Sequence, residues 1–176
     1  MENAAHLHLL VNHFPIIGGF LAIPLLAMAF FLRKERGLLL AAVFLLVVTA
    51  VTGWLSVSTG DKAMDMIENQ EGKPWFKVFD SARDAVDEHE ERADKAMFVA
   101  VPTALLGIVV LLLAHRRAAD NPLPRIWIGA LFVGAVATGG AMAYVGNAGG
   151  GIMHREIRGD SLDTVRDAEP RESREK

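Results

Sequence analysis

The sequence predicts an all-α fold, a transmembrane four-helix bundle, from the length, composition and spacing of its apolar segments. Four segments contain almost no charge, namely residues 7–32, 37–59, 96–114 and 126–145. Each is about long enough to cross a hydrocarbon layer of roughly 30 Å as a helix. None carries the polar stripe that a helix of a soluble bundle would show. Because backbone groups in lipid must pair within the chain, the four segments are expected to be helices.

The connections between these segments differ in charge, which predicts the orientation. The first connection, residues 33–37, and the third, residues 115–125, are short and basic. Short basic loops remain in the cytoplasm. The second connection, residues 60–93, holds ten acidic and five basic residues, a net charge of −5. We therefore expect an N-out, C-out protein of the bacterial inner membrane, with the acidic connection outside.

The expected limits of the helices follow from the same pattern. The first helix is expected from about Ala5 to Leu32, and the second is expected to end at Thr59-Gly60. The acidic connection is expected to become helical from about Ala82 and to extend the third helix outward. Residues 1–158 would form the membrane domain.

A glycine-rich segment and then a charged segment follow the fourth apolar segment. Glycines from Gly149 to Gly151 follow the fourth segment, and a glycine-rich backbone is able to fold back over the end of a bundle. Residues 159–176 are charged and almost free of apolar side chains, which predicts a disordered tail.

Small residues recur in the fourth segment at Ala130, Gly134 and Thr138, followed by Gly139 and Gly140. At this spacing a neighbouring helix backbone is able to approach closely. The spacing therefore predicts tight helix packing, with room for a flat cofactor as the alternative.

The histidines are the main indication of function, because five of the six are expected at the outer end of the bundle. These five are His6, His8, His13, His89 and His154. Neutral imidazole is a common ligand of haem iron, zinc and copper, and a four-helix core is able to hold such a group. His13 lies at the expected edge of the hydrocarbon and is expected to need a polar partner. His6 is expected to be solvated.

The absence of cysteine narrows the kinds of cofactor. It excludes disulfides, thiolate metal sites, cysteine-ligated iron–sulfur clusters and covalent attachment of a c-type haem. The sequence also lacks a phosphate loop, a dinucleotide fingerprint and a serine–histidine–aspartate arrangement. Nothing in it indicates nucleic-acid binding. These exclusions favour an electron carrier over a hydrolase or a transferase.

Several short motifs resemble those of one group of small four-span bacterial membrane proteins of unknown function. They are Asn12 to Gly18, Thr59-Gly60, His89-Glu90-Glu91, Asn147 to Gly150, and Ile152 to Arg158. The resemblance implies the four-span fold and implies matching roles for His8, His13, His89 and His154, with His6 less secure. Related four-span domains sometimes accompany redox proteins, which points toward electron transfer.

The first functional hypothesis is a cytochrome that holds one or two b-type haems through histidines at the outer end. An axial pair is expected to combine His8 or His13 with His89 or His154. Basic side chains that would pair with haem propionates are Arg83, Arg92, Lys95, Arg155 and Arg158. The expected partners are the lipid bilayer and a quinone or periplasmic electron carrier, with a homo-oligomer left open.

Two alternatives remain. One is a non-haem copper or zinc site in which histidines act with Glu90 or Glu91. The acidic run around His89 is also the usual pattern of a solvated face. The other is a structural or assembly subunit of a membrane complex.

Overall fold

The computed structural model describes residues 3–68, 83–118 and 121–153, and these residues form helices and turns without a strand. The helices are α1 (Asn3–Val11), α2 (Phe14–Phe31), α3 (Arg36–Glu68), α4 (Arg83–His115) and α5 (Arg125–Met153). The predicted all-α class is therefore confirmed. The structure also confirms the helix that runs unbroken from the acidic residues into the third span.

Four stretches are long and apolar enough to cross a membrane, as predicted. They are His6–Phe31, Arg36–Lys62, Arg83–His115 and Arg125–Gly150. Large apolar side chains lie on their outer surface, including Phe98 at 81% exposure and Phe31 at 74%. Such exposure suits side chains that face lipid tails. The chain is a multi-pass membrane protein by these criteria.

The four spans form a ring in which each packs on two neighbours. α2 packs on α3 and α5, and α4 also packs on α3 and α5. The first and third spans therefore occupy opposite corners, and the second and fourth occupy the other two. α1 continues the first span outward and packs against α3.

Fully buried apolar side chains hold the ring together in its middle and toward the end that carries Arg36 and Arg125. Leu26, Leu46, Val110 and Leu131 belong to one continuous cluster drawn from all four spans. A smaller cluster nearer the end that carries His8 and His89 contains Ala96, Ala100 and Met142. The small side chains of this second cluster let α4 and α5 approach each other closely.

The first span is interrupted, whereas one continuous helix was expected. α1 ends at Val11, Asn12 and His13 form a turn, and α2 begins at Phe14. Pro15 explains the break, because proline has no backbone N–H and its ring clashes with the carbonyl four residues earlier, here that of Val11.

The second span continues beyond its expected end, because α3 remains helical through Thr59 and Gly60 to Glu68. The Thr59 hydroxyl oxygen lies 2.8 Å from the Leu55 carbonyl and 3.1 Å from that of Ser56, within its own helix. A threonine that bonds back to the preceding turn is compatible with a continuous helix. The expectation that the span ends at Thr59-Gly60 was therefore wrong.

The glycine-rich segment does not fold back, which corrects a second expectation. α5 stays helical from Arg125 through Gly149 and Gly150 to Met153. A helix satisfies the backbone groups of this segment internally, which matters where water is scarce. The fold-back had been inferred from glycine flexibility alone.

Tight packing explains several of the small residues. A Cβ atom on Gly134 would lie 3.0 Å from Thr103, and one on Gly19 would lie 3.6 Å from the Gly139 Cα. Gly140 has open space around its Cβ direction, and Ala130 is exposed. The packing interpretation is thus supported at Gly134 and Gly139, whereas Ala130 and Gly140 lie outside these contacts.

Candidate functional site

His8 is held against α3 by its ring nitrogen Nδ1. This atom lies 2.9 Å from the Ser56 carbonyl oxygen and 3.4 Å from the Thr59 hydroxyl. A carbonyl oxygen only accepts hydrogen bonds, so Nδ1 carries the proton and donates it. In the neutral ring Nε2 is then left with a lone pair. No described residue forms a hydrogen bond with Nε2 of His8.

His89 is held against α5 in the same way. Its Nδ1 lies 3.1 Å from the Val145 carbonyl oxygen, and it must again be the donor. The ring is half-buried, and its Nε2 also has no hydrogen-bond partner among the described residues. Two histidines from distant parts of the sequence therefore share one tautomer and one mode of attachment.

A glycine lies beside each ring, four residues after the carbonyl that the ring binds. A Cβ atom on Gly60 would lie 3.3 Å from His8 Cε1, and one on Gly149 would lie 3.1 Å from His89 Cε1. In a helix the Cα–Cβ bond tilts toward the N-terminus, so a side chain at position i+4 lies over the turn of residue i. Glycine at these positions therefore leaves the carbonyls of Ser56 and Val145 open to an imidazole.

We call these two units the histidine clamps: His8 on Ser56 and Gly60, and His89 on Val145 and Gly149. His8 belongs to the first span and His89 to α4, which occupy opposite corners of the ring. His8 precedes the apolar part of the first span and His89 precedes that of the third, so both lie at the same end of the bundle. The clamps therefore sit at one end of the bundle, with each ring supported by a different neighbouring helix.

Arg92 lies one turn after His89 and is largely buried. Its guanidinium carbon is 3.8 Å from the centre of the Tyr144 ring, and Nη1 donates to the Tyr144 carbonyl at 3.3 Å. Nη2 pairs with Glu88. Nε is buried without a hydrogen-bond partner in the structure. A positive charge that acts on His89 is thus fixed beside the clamp with one donor unused.

The other predicted histidines are placed differently. His13 is exposed at the N-terminal cap of α2 and forms no side-chain hydrogen bond or ion pair with a described residue, as is also true of His6. The expectation that His13 has a polar partner at the edge of the hydrocarbon stays a prediction, since no described residue supplies that partner. His154 and Arg155 lie outside the described residues.

The remaining predicted side chains are spread over the same end. Lys95 pairs with Glu91 at 2.6 Å on the exposed face of α4. Glu90 and Asp61 are within electrostatic range of each other, which places the acidic parts of α3 and α4 together. Across residues 3–68, 83–118 and 121–153, no group of three or more histidine and carboxylate side chains is arranged to hold a metal ion.

Sequence reasoning found the two histidines and Arg92 but missed what holds them. The acceptors are backbone carbonyls of Ser56 and Val145, and no residue type marks a carbonyl that accepts a side chain. A glycine four residues later was the available signal. Gly149 was noted for its flexibility, whereas its role in the structure is to leave room for His89.

Comparison with protein-family models, with curated proteins and with solved structures found no match to this chain. The resemblance to small four-span bacterial membrane proteins therefore stays a prediction, and the interpretation of the site rests on its geometry.

Proposed function

We propose that the protein is a b-type cytochrome that binds one haem between His8 and His89 and transfers electrons at the outer face of a bacterial inner membrane. The observation that carries the proposal is the pair of histidine clamps, built from opposite corners of the bundle. Axial ligation of haem needs two imidazoles on opposite faces of one flat ring. Two rings that approach from opposite corners suit that requirement.

The hydrogen bonds of the histidine clamps hold the two imidazoles in place and also suit the binding of iron through Nε2. A histidine that binds iron through Nε2 commonly donates its Nδ1 proton to a carbonyl, which fixes the tautomer and strengthens the ligand. His8 and His89 both do so, at 2.9 Å and 3.1 Å. Two ligands are also the number that haem takes from protein, whereas a structural zinc site takes four.

Arg92 is suited to a haem propionate. A guanidinium binds a carboxylate through two N–H groups, and such charge-assisted bonds are about twice as strong as neutral ones. Arg92 has a buried, unused Nε beside the clamp, and its stacking on Tyr144 restricts its orientation. We assign to Arg92 a bond to one propionate, for which the guanidinium would exchange its present contact with Glu88 or with the Tyr144 carbonyl.

Haem bound at this site would supply reversible one-electron oxidation and reduction of iron. The residues of this chain would hold the porphyrin, supply the two axial ligands of its iron and contact its propionates. A quinone in the bilayer or a soluble electron carrier outside the membrane would exchange the electron. Near this end Ala96 and Ala100 form a small cluster with Met142, against which Ile16 and Met97 also pack, so a haem would have to displace some of these side chains.

The absorbance spectrum of the protein, expressed with sufficient haem and purified in detergent, tests this proposal. We expect a Soret band, with sharp α and β bands on reduction by dithionite, and a pyridine haemochrome of b type. Copper or zinc in the metal analysis without a Soret band would instead favour the non-haem hypothesis. Neither signal would favour a structural subunit.

Replacing Gly149 by alanine tests the clamp without removing a ligand. The new Cβ would lie 3.1 Å from Cε1 and 3.2 Å from Nδ1 of His89, so the ring must shift away from Val145. Changes beside a metal ligand cost about 10–100-fold in affinity, and we expect a loss of about tenfold in haem affinity, measured by titration of the apoprotein. Gly150 has open space at its Cβ and is the matched control. Equal affinities in the two variants would contradict the clamp.

A further inference from the structure

A second site lies at the opposite end of the bundle, on the surface that faces lipid. An open groove of about 470 Å³ is lined by Phe30 of α2 and by one side of α5. The residues of α5 in the groove are Arg125, Ile126, Gly129, Ala130 and Val133. Arg125 stands at the helix terminus, where α5 leaves the apolar layer, and the other lining residues extend inward from it.

The groove has a positive mouth and an apolar floor. The Arg125 guanidinium lies 5.8 Å from the centre of the Phe30 ring and forms no hydrogen bond or ion pair with a described residue. Below it the floor is formed by Gly129 and Ala130, which have little or no side chain. A cation that pairs with no anion among the described residues, at the end of an open apolar groove, is complementary to a molecule with an anionic head and a hydrocarbon tail.

The surroundings strengthen the attraction for an anion. The two connections at this end, residues 33–36 and 115–125, carry six arginine and lysine residues against two acidic ones. Arg36 and Arg117 are engaged within the protein: Arg36 donates to the Arg117 carbonyl at 2.7 Å, and Arg117 donates to Asn121. Arg125 forms no such contact with a described residue.

We propose that this groove binds one anionic phospholipid, with an acyl chain along Gly129, Ala130 and Val133 and the phosphate on Arg125. Basic pockets between membrane helices bind anionic headgroups, and each arginine near the surface adds to the attraction. The occupant is a lipid and not free phosphate, because the floor of the groove is apolar and opens to the hydrocarbon. This site is independent of the histidine clamps.

Native mass spectrometry of the purified protein with an equal mixture of phosphatidylglycerol and phosphatidylcholine tests the proposal. We expect wild type to retain phosphatidylglycerol preferentially. Arg125→Gln should reduce that preference about fivefold, which corresponds to the usual contribution of one surface arginine. Arg116→Gln, which removes an exposed arginine at the same end outside the groove, should reduce the preference clearly less than Arg125→Gln does.

Two further arms identify the ligand chemistry. Ala130→Leu fills the floor of the groove and should lower retention of both lipids, because it blocks the acyl chain rather than the headgroup. Glycerol phosphate, which has the anion without the chains, should not displace the bound lipid. The proposal is overturned if Arg125→Gln keeps the wild-type preference, if Arg116→Gln loses as much, or if glycerol phosphate competes. Equal melting temperatures of the variants would show that each remains folded.

Discussion

Replacing His89 by alanine is expected to abolish the six-coordinate low-spin spectrum of the haem-loaded protein. The change removes one axial ligand and leaves the Val145 carbonyl without its imidazole donor. Because His8 of α1 remains hydrogen-bonded to α3, the iron would become five-coordinate and high-spin, or haem would be lost. His8→Ala should give the same result from the other side of the ring. Absorbance and electron paramagnetic resonance spectra of the ferric protein measure the change.

His6 and His13 provide the controls for this experiment. Both are exposed and neither forms a side-chain hydrogen bond or ion pair with a described residue. His6→Ala and His13→Ala should therefore keep the low-spin spectrum. An unaltered spectrum in His8→Ala or His89→Ala, with loss in His13→Ala, would exclude the clamps as the axial pair.

Replacing Gly18 by alanine is expected to lower the thermal stability of the bundle. A Cβ at this position would lie 2.5 Å from the Thr49 hydroxyl oxygen and 3.3 Å from the Leu45 carbonyl oxygen. The carbonyl belongs to the α3 backbone and cannot rotate away, so α2 and α3 must separate. Overpacking of this kind costs about 1–3 kcal/mol, and we expect the melting temperature in detergent to fall by roughly 5 °C.

Gly140→Ala is the matched control for Gly18→Ala. Gly140 also lies within a membrane helix, but nothing lies within 4 Å of its Cβ direction. Alanine is a better helix former than glycine by about 1 kcal/mol, so the melting temperature should stay level or rise. A similar loss of stability in both variants would show that glycine flexibility, and not the approach of α2 to α3, is what matters.

The four spans were predictable because hydrophobicity over about 20 residues is a strong signal in a membrane protein. The turn at Asn12 and His13 was harder to predict from the sequence. Pro15 indicated a kink, but the sequence does not show whether a proline bends a helix or interrupts it. The turn at Asn12 and His13 is therefore known only from the structure.

The proposed pairing of His8 with His89 is one of the four combinations that the sequence leaves open. Topology brings all outer histidines to one end, but it does not say which of them find acceptors. The acceptors lie on neighbouring helices, so the order of helices around the ring must be known before Ser56 and Val145 can be selected. Glycine at the fourth residue after each acceptor is a local signal that applies once the neighbours are known.

Imidazole rescue of the glycine variants tests most directly whether His8 and His89 are the axial ligands of one haem. In His8→Gly and His89→Gly, the low-spin spectrum should disappear and should return when imidazole and haem are added together. Rescue in both variants is the result that we predict, because each change would remove a ligand and leave room for its replacement. A low-spin spectrum that persists in either variant without imidazole, or one that imidazole restores in neither, would contradict the account.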